Sequence, residues 1–319
     1  MDSLPAGQIG LRVEGCGPPI VLLHCSMSSK GQWRELIESL RDRYRLIAID
    51  LLGYGDSAMP SSCENYSLRD EVRLVESALA RELQPGERFH LIGHSYGGMV
   101  ALQLAQTLPH RLRSLSLFEP ISFNLLPARD PDMVMIEAAW HQIEGRWIVG
   151  DAHGAARSFV DYWSGAGAFA ELRASRQELL ASQVPKLLLE FRAVADEPRN
   201  VSAYRQIAVP TCLVAGFDSP EPAQRLMSMF AELLPHASCF EVPAGHMAPI
   251  THPELVNPIF EEFVRAVDAS ENSQIIPENW DRQPAIPRFG EMTAVVRGMG
   301  WSRAITFGLL GGDEPGAVS

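Results

Sequence analysis

The stretch Leu91-Ile92-Gly93-His94-Ser95-Tyr96-Gly97-Gly98 constrains this chain more than any other. It contains G-x-S-x-G, a serine with glycine two residues before it and two after. Phe89 to Ile92 reads as a short buried strand. Met99 to Leu108 carries apolar residues at helical spacing until Pro109 stops it. A serine at such a strand-to-helix turn takes a strained backbone that faces its hydroxyl outward, and the small flanking residues let strand and helix approach. The helix behind it aims its first N–H groups at negative charge forming there. The competing reading is a glycine-rich turn with a solvent serine. The strand before and the helix after favour a catalytic nucleophile.

The rest of the chain alternates strand and helix signals around this turn. Ile20–Leu23, Leu46–Ile49, Leu115–Phe118, Thr211–Ala215 and Cys239–Val242 are short apolar runs, read as buried strands. Trp33–Leu40, Leu68–Leu83, Ala223–Leu233 and Pro253–Ala266 carry helical patterns. Strands with little internal polarity, each followed by a helix, predict an α/β fold: a mostly parallel sheet covered by helices on both faces. From Ile121 to Ile207 the strand signals stop and helical patterning dominates, which predicts a helical cap over residues 121–207. Residues 1–120 and 208–268 then form the core, and 269–319 a C-terminal extension of undetermined role. Asp268–Arg288 reads as a Pro-interrupted linker, and Met292–Leu310 regains apolar character.

Net charge is −12, from 27 Lys+Arg against 39 Asp+Glu, which disfavours nucleic acid or an anionic membrane surface as partner and favours solubility. The cysteines, at 16, 25, 63, 212 and 239, are odd in number and form no C-x-x-C pair. They predict a reduced cytoplasmic setting with neither a disulfide framework nor a zinc site. Met1–Pro5 shows no basic region before an apolar run, so no signal peptide is expected, and no segment reaches membrane-spanning length.

A serine hydroxyl needs a base to take its proton, and the base needs a third group to fix its tautomer. His246, in Pro243-Ala244-Gly245-His246, follows a strand and is the candidate base. Two carboxylates qualify as the acid. Asp218, in Ala215-Gly216-Phe217-Asp218, follows one strand and precedes His246; Glu119, in Phe118-Glu119-Pro120, ends the strand next to the Ser95 helix. Both loops open on the same face, so sequence leaves the pair unresolved. A tetrahedral oxyanion needs two N–H donors: Tyr96, following the serine, and Cys25 or Ser26 in the loop after Leu23. His24 reads as a brace for that loop, and Asp50-Leu51-Leu52-Gly53-Tyr54-Gly55-Asp56-Ser57 as a scaffold turn rather than a phosphate loop, since it lacks the required lysine.

Taken together, Leu-Leu-His24, D-x-x-G-x-G-x-S at 50–57, G-H-S-Y-G-G at 93–98 and A-G-H246 resemble the α/β-hydrolase fold superfamily over roughly residues 8–268, closest to its esterase-like members with a helical cap after the sixth strand. That resemblance implies hydrolysis of a small carboxylic ester, lactone or thioester through an acyl-enzyme on Ser95, with no cofactor and no metal. A serine rather than an aspartate at the elbow argues against the carboxylate-nucleophile branches. Two departures stand out. The oxyanion loop reads His-Cys-Ser where the family usually has His-Gly, and the acid turn is G-x-D, leaving Ser219 at the usual acid place. The family also uses an acid after the sixth strand, which keeps Glu119 in play. Rival readings are a cofactor-free perhydrolase or C–C hydrolase/lyase on the same triad, or a weakly catalytic small-molecule-binding protein.

Overall fold

The computed structural model describes residues 8–127 and 129–272. The expectations for Met1–Pro5 and for Met292–Leu310, and all of the C-terminal extension beyond 272, fall outside the described residues. Seven strands form one sheet: β1 (Leu11–Glu14), β2 (Pro19–Leu23), β3 (Arg45–Ile49), β4 (Phe89–His94), β5 (Leu112–Phe118), β6 (Thr211–Gly216) and β7 (Ala237–Val242). Their order is β1-β3-β2-β4-β5-β6-β7, all parallel except β1, which pairs antiparallel with β3 at the edge. Leu11-Arg12-Val13-Glu14 offers no apolar run to mark β1, and the strand is only partly buried, as an edge strand is.

Helices α1 (Arg34–Leu40), α2 (Leu68–Glu82) and α3 (Tyr96–Thr107) belong to the first half. Helices α4 (Pro131–Ile148), α5 (Ala152–Ser164), α6 (Ala168–Glu171), α7 (Ala174–Ala195) and α8 (Val201–Arg205) lie between β5 and β6. They are followed by α9 (Glu221–Leu233), α10 (Ala248–Thr251) and α11 (Pro253–Asn272). The helical insertion leaves after β5, the strand whose end carries Glu119.

Strand alternation sorts the core into two layers. Val21, Leu23, Ile47 and Ile49 pack with α2, α3 and α9, while Ile20, Leu22, Leu46 and Ala48 pack with α1 and α11. The strands read as continuous apolar runs because both faces are covered; each fully buried Leu, Ile or Phe contributes about 1.5–3 kcal/mol. Asp268 to Asn272, expected to open a linker, instead completes α11. The Asp268 carboxylate accepts from the Tyr44 hydroxyl (2.9 Å) and pairs with His90 Nε2 (3.1 Å) and Arg113 (3.0 Å), pinning the helix to the N-terminal ends of β4 and β5.

Candidate active site

The turn between β4 and α3 is strained at Ser95, with φ 54° and ψ −116°. Only glycines fit around it. A Cβ on Gly93 would sit 2.6 Å from Gly97 O, and one on Gly97 would sit 2.4 Å from His24 O. The Ser95 N–H donates to Phe118 O (2.9 Å), tying the turn to β5. Among the described residues three non-glycine positions have positive φ: Met27 (55°), Ser95 (54°) and Glu119 (41°). Each such backbone costs on the order of 1–3 kcal/mol and persists only where its surroundings hold it. All three lie in loops at the C-terminal ends of β2, β4 and β5, which is where open α/β sheets place their ligands.

His246, in the loop after β7, reaches Ser95 from one side and Glu119 from the other. Its Nε2 lies 2.9 Å from Ser95 Oγ and its Nδ1 2.6 Å from Glu119 Oε2. The second Glu119 oxygen accepts the Gly216 N–H at 2.7 Å, so both carboxylate oxygens are engaged in a fully buried setting. Asp218 is not brought to the imidazole. It is exposed, and the contact it makes to this loop is through its backbone N–H, donated to Ala244 O (3.0 Å). The G-x-D turn thus contributes Gly216, whose N–H anchors the Glu119 carboxylate. Ser219, at the place the resemblance reserves for an acid, is buried with its hydroxyl unpartnered.

The oxyanion candidates separate as well. Tyr96 is the first residue of α3, so its N–H has no acceptor within the helix. The Cys25 N–H is already donated to Gln32 Oε1 (3.2 Å), which leaves Ser26 as the remaining donor in that loop. Gln32 and His94, which sequence reasoning missed, link the loop after β2, the β4–α3 turn and the loop after β7. His94 Nε2 contacts the carbonyl of His246 (2.9 Å), which only accepts, so Nε2 carries the proton and Nδ1 accepts from Gln32 Nε2 (3.1 Å). Burial, reinforced by the neighbouring His246, holds the His94 pKa well below the usual histidine range and keeps it neutral. No sequence pattern marks Gln32, and the middle residue of G-x-S is free in the motif; only the tertiary contact reveals either.

His24 braces its loop as expected. Its Nδ1–H donates to Cys25 O (2.7 Å) and its Nε2 accepts the Leu51 N–H (3.0 Å), while burial lowers its pKa to about 4. Burial also pushes the Cys25 thiol up to about 12, so it carries no thiolate near neutral pH.

The helical insertion roofs this geometry. The Trp163 ring of α5 lies 4.0 Å from the His246 ring, centroid to centroid. Beside it is a small apolar pocket lined by Phe123, Ile136, Trp140, Phe159 and Phe191, of which Phe123, Ile136 and Trp140 also line a cleft of about 740 Å³ between α4 and the end of α7. Among the described residues no cluster of three His, Cys, Asp or Glu is arranged to hold a metal, and no helix is long and apolar enough to cross a membrane.

A mostly parallel sheet, helices on both faces and a serine on a strained strand-to-helix turn define an α/β-hydrolase architecture. Residues 20–259 match the family described as "Alpha/beta hydrolase family", and the chain belongs to it. Among curated proteins it is 32% identical over 130 residues to "Probable lysophospholipase BODYGUARD 2" of Arabidopsis thaliana, covering 39% of this chain but only 27% of that protein. The chain thus spans about a quarter of the length of such plant relatives. It is 28% identical over 274 residues to "Pimeloyl-[acyl-carrier protein] methyl ester esterase" of Stenotrophomonas maltophilia (strain K279a), covering 82% of this chain and 98% of that one. The crystal structure of the enol-lactonase from Burkholderia xenovorans LB400 superposes with a TM-score of 0.69 at 16% identity, covering 82% of this chain and 98% of that chain.

Proposed function

We propose that this protein is a serine hydrolase that cleaves a small carboxylic ester, lactone or thioester through an acyl-enzyme on Ser95. The observation that carries the proposal is the unbroken chain from Ser95 Oγ to His246 Nε2 at 2.9 Å and from His246 Nδ1 to Glu119 at 2.6 Å. His246 takes the hydroxyl proton as Ser95 attacks the carbonyl carbon, and passes it to the departing alcohol or thiol. Glu119 holds the proton on Nδ1 and balances the imidazolium that forms. The backbone N–H groups of Tyr96 and Ser26 receive the oxyanion. Water, deprotonated by the same imidazole, then attacks the acyl carbon and frees the acid and Ser95.

The curated ester-cleaving relative and the lactonase-like fold support this reaction class. The apolar aromatic lining beyond Trp163 supports a substrate with a modest, largely apolar acyl or alcohol part. All five cysteines are free thiols, which supports a reducing, cytoplasmic setting.

A fluorophosphonate probe and a panel of p-nitrophenyl esters of rising acyl length test the proposal. The expected result is stoichiometric modification of Ser95 and turnover that peaks at one acyl length. Lack of both modification and turnover in folded protein would refute it.

A further inference from the structure

Outside the Ser95–His246–Glu119 chain, the most unusual chemistry in the molecule is a buried cation. Lys186, on α7 of the insertion, is 1% exposed, and its Nζ lies 4.8–5.0 Å from the ring centroids of Tyr54, Tyr66 and Tyr96. It donates to Glu190 Oε1 (2.7 Å), one helical turn on, and to the Tyr66 hydroxyl (3.0 Å), and pairs with Glu71 (3.1 Å). Tyr66 gives its single proton to Glu71, so the Tyr96 hydroxyl, 2.6 Å away, donates to Tyr66. The 50–57 turn closes the box. A Cβ on Gly53 would lie 3.1 Å from Lys186 Cγ, so this turn is pressed against the lysine stem, and the next residue is Tyr54.

The same helix reaches the other oxyanion loop. The Ser26 hydroxyl lies against the Glu190 carboxyl, and Arg176, near the start of α7, donates to the carbonyl of Met27 (3.0 Å), the strained residue of that loop. An apolar plug would fill this space at lower cost, because buried ions lose hydration that their pairing only partly restores. Lys186, Glu190 and Glu71 are all buried, so three charged groups share one dry box. Local rules broken at this cost are expected where function, not stability, sets the residues.

We infer that α7 acts as a positioning strut for the oxyanion hole: Lys186, through Tyr66, fixes Tyr96, while Glu190 and Arg176 fix the Ser26–Met27 loop. This rests on the serine-hydrolase reading above. Both N–H donors are then in register only while the insertion is docked, so a loosened box weakens oxyanion stabilisation rather than substrate binding.

The test uses Tyr66→Phe, which cuts the link to Tyr96 and keeps every charge. It is paired with the charge-free triple variant Lys186→Met, Glu71→Gln, Glu190→Gln, which keeps the volume. Each is compared with wild type on the best p-nitrophenyl ester and on the matching thionoester, whose sulfur is a weaker acceptor. The expected result is a fall in kcat of about 10- to 100-fold, less than loss of a whole donor, with KM within about twofold. The wild-type preference for oxygen over sulfur should shrink in parallel. Unchanged kcat and preference with only a lowered Tm would overturn the inference, as would a fall in kcat that leaves the preference intact. If the triple variant does not fold, Tyr66→Phe alone decides. Turnover by wild type with unaltered variants sinks only the strut; a folded wild type that turns over no ester sinks the hydrolase reading and the strut with it.

Discussion

Replacing Glu119 by glutamine keeps volume and most packing but changes what can face the imidazole. One Glu119 oxygen already accepts the Gly216 N–H at 2.7 Å, and only the amide oxygen of glutamine can take over that role. The amide NH2 is then forced onto His246 Nδ1, at the position now 2.6 Å from a carboxylate oxygen. An NH2 donor there pins the imidazole as the tautomer whose proton is on Nε2, pointing at Ser95, where no proton can be accepted. Wrong-tautomer substitutions of this kind lower kcat by roughly 10⁴, about 5.5 kcal/mol at 1.36 kcal/mol per decade. Glu119→Gln should therefore lose about four decades of kcat on an activated aryl ester, with a far smaller change in KM. Asp218→Asn, on an exposed residue whose backbone makes the local contact, should stay within about twofold of wild type. Stopped-flow release of p-nitrophenol, with circular dichroism to show both variants folded, reads this directly. A folded Glu119→Gln with near-native kcat, or an Asp218→Asn that loses three decades, would refute the assignment of the acid.

Two further outcomes follow from the same geometry. In the Glu119→Gln background, Ser219→Asp puts a carboxylate at the family's usual acid place, where the buried Ser219 hydroxyl now stands without a partner, and should recover roughly tenfold or more of the lost kcat; a folded double variant with no recovery would show that this slot no longer faces His246. Stability should also fall on mild acidification. His24 is held neutral with a pKa of about 4 against an ordinary 6.5, so between those values the unfolded chain binds more protons than the folded one. Its stabilisation is complete above pH 6.5 and lost as pH falls towards 4, a swing of about 3 kcal/mol from this group alone, with His94 acting in the same direction. Denaturant melts from pH 7 to 4.5 measure the slope, and a His24→Asn variant whose slope is as steep as wild type would remove His24 as its source.

Local chemistry determined much of this protein from sequence alone. Mostly apolar runs of four or five residues alternating with 3.6-period segments dictate a covered parallel sheet, because only burial on both faces explains strands without alternation. Gly93 and Gly97 dictate the elbow, because no side chain fits at either place. The order of Ser95 before His246, each at the end of a strand, brought the hydroxyl and the imidazole to the same face. What stayed out of reach were choices between positions that look alike along the chain. Asp218 and Glu119 both end strands, and the distinction lies in a positive φ at Glu119 and an N–H from Gly216, neither of which leaves a local signature. Gln32, His94, Lys186 and Trp163 acquire their partners from residues 62 to 152 positions away. Periodicity reports which face of a segment is buried; it carries no information about which distant segment buries it, and that pairing is what tertiary packing alone decides.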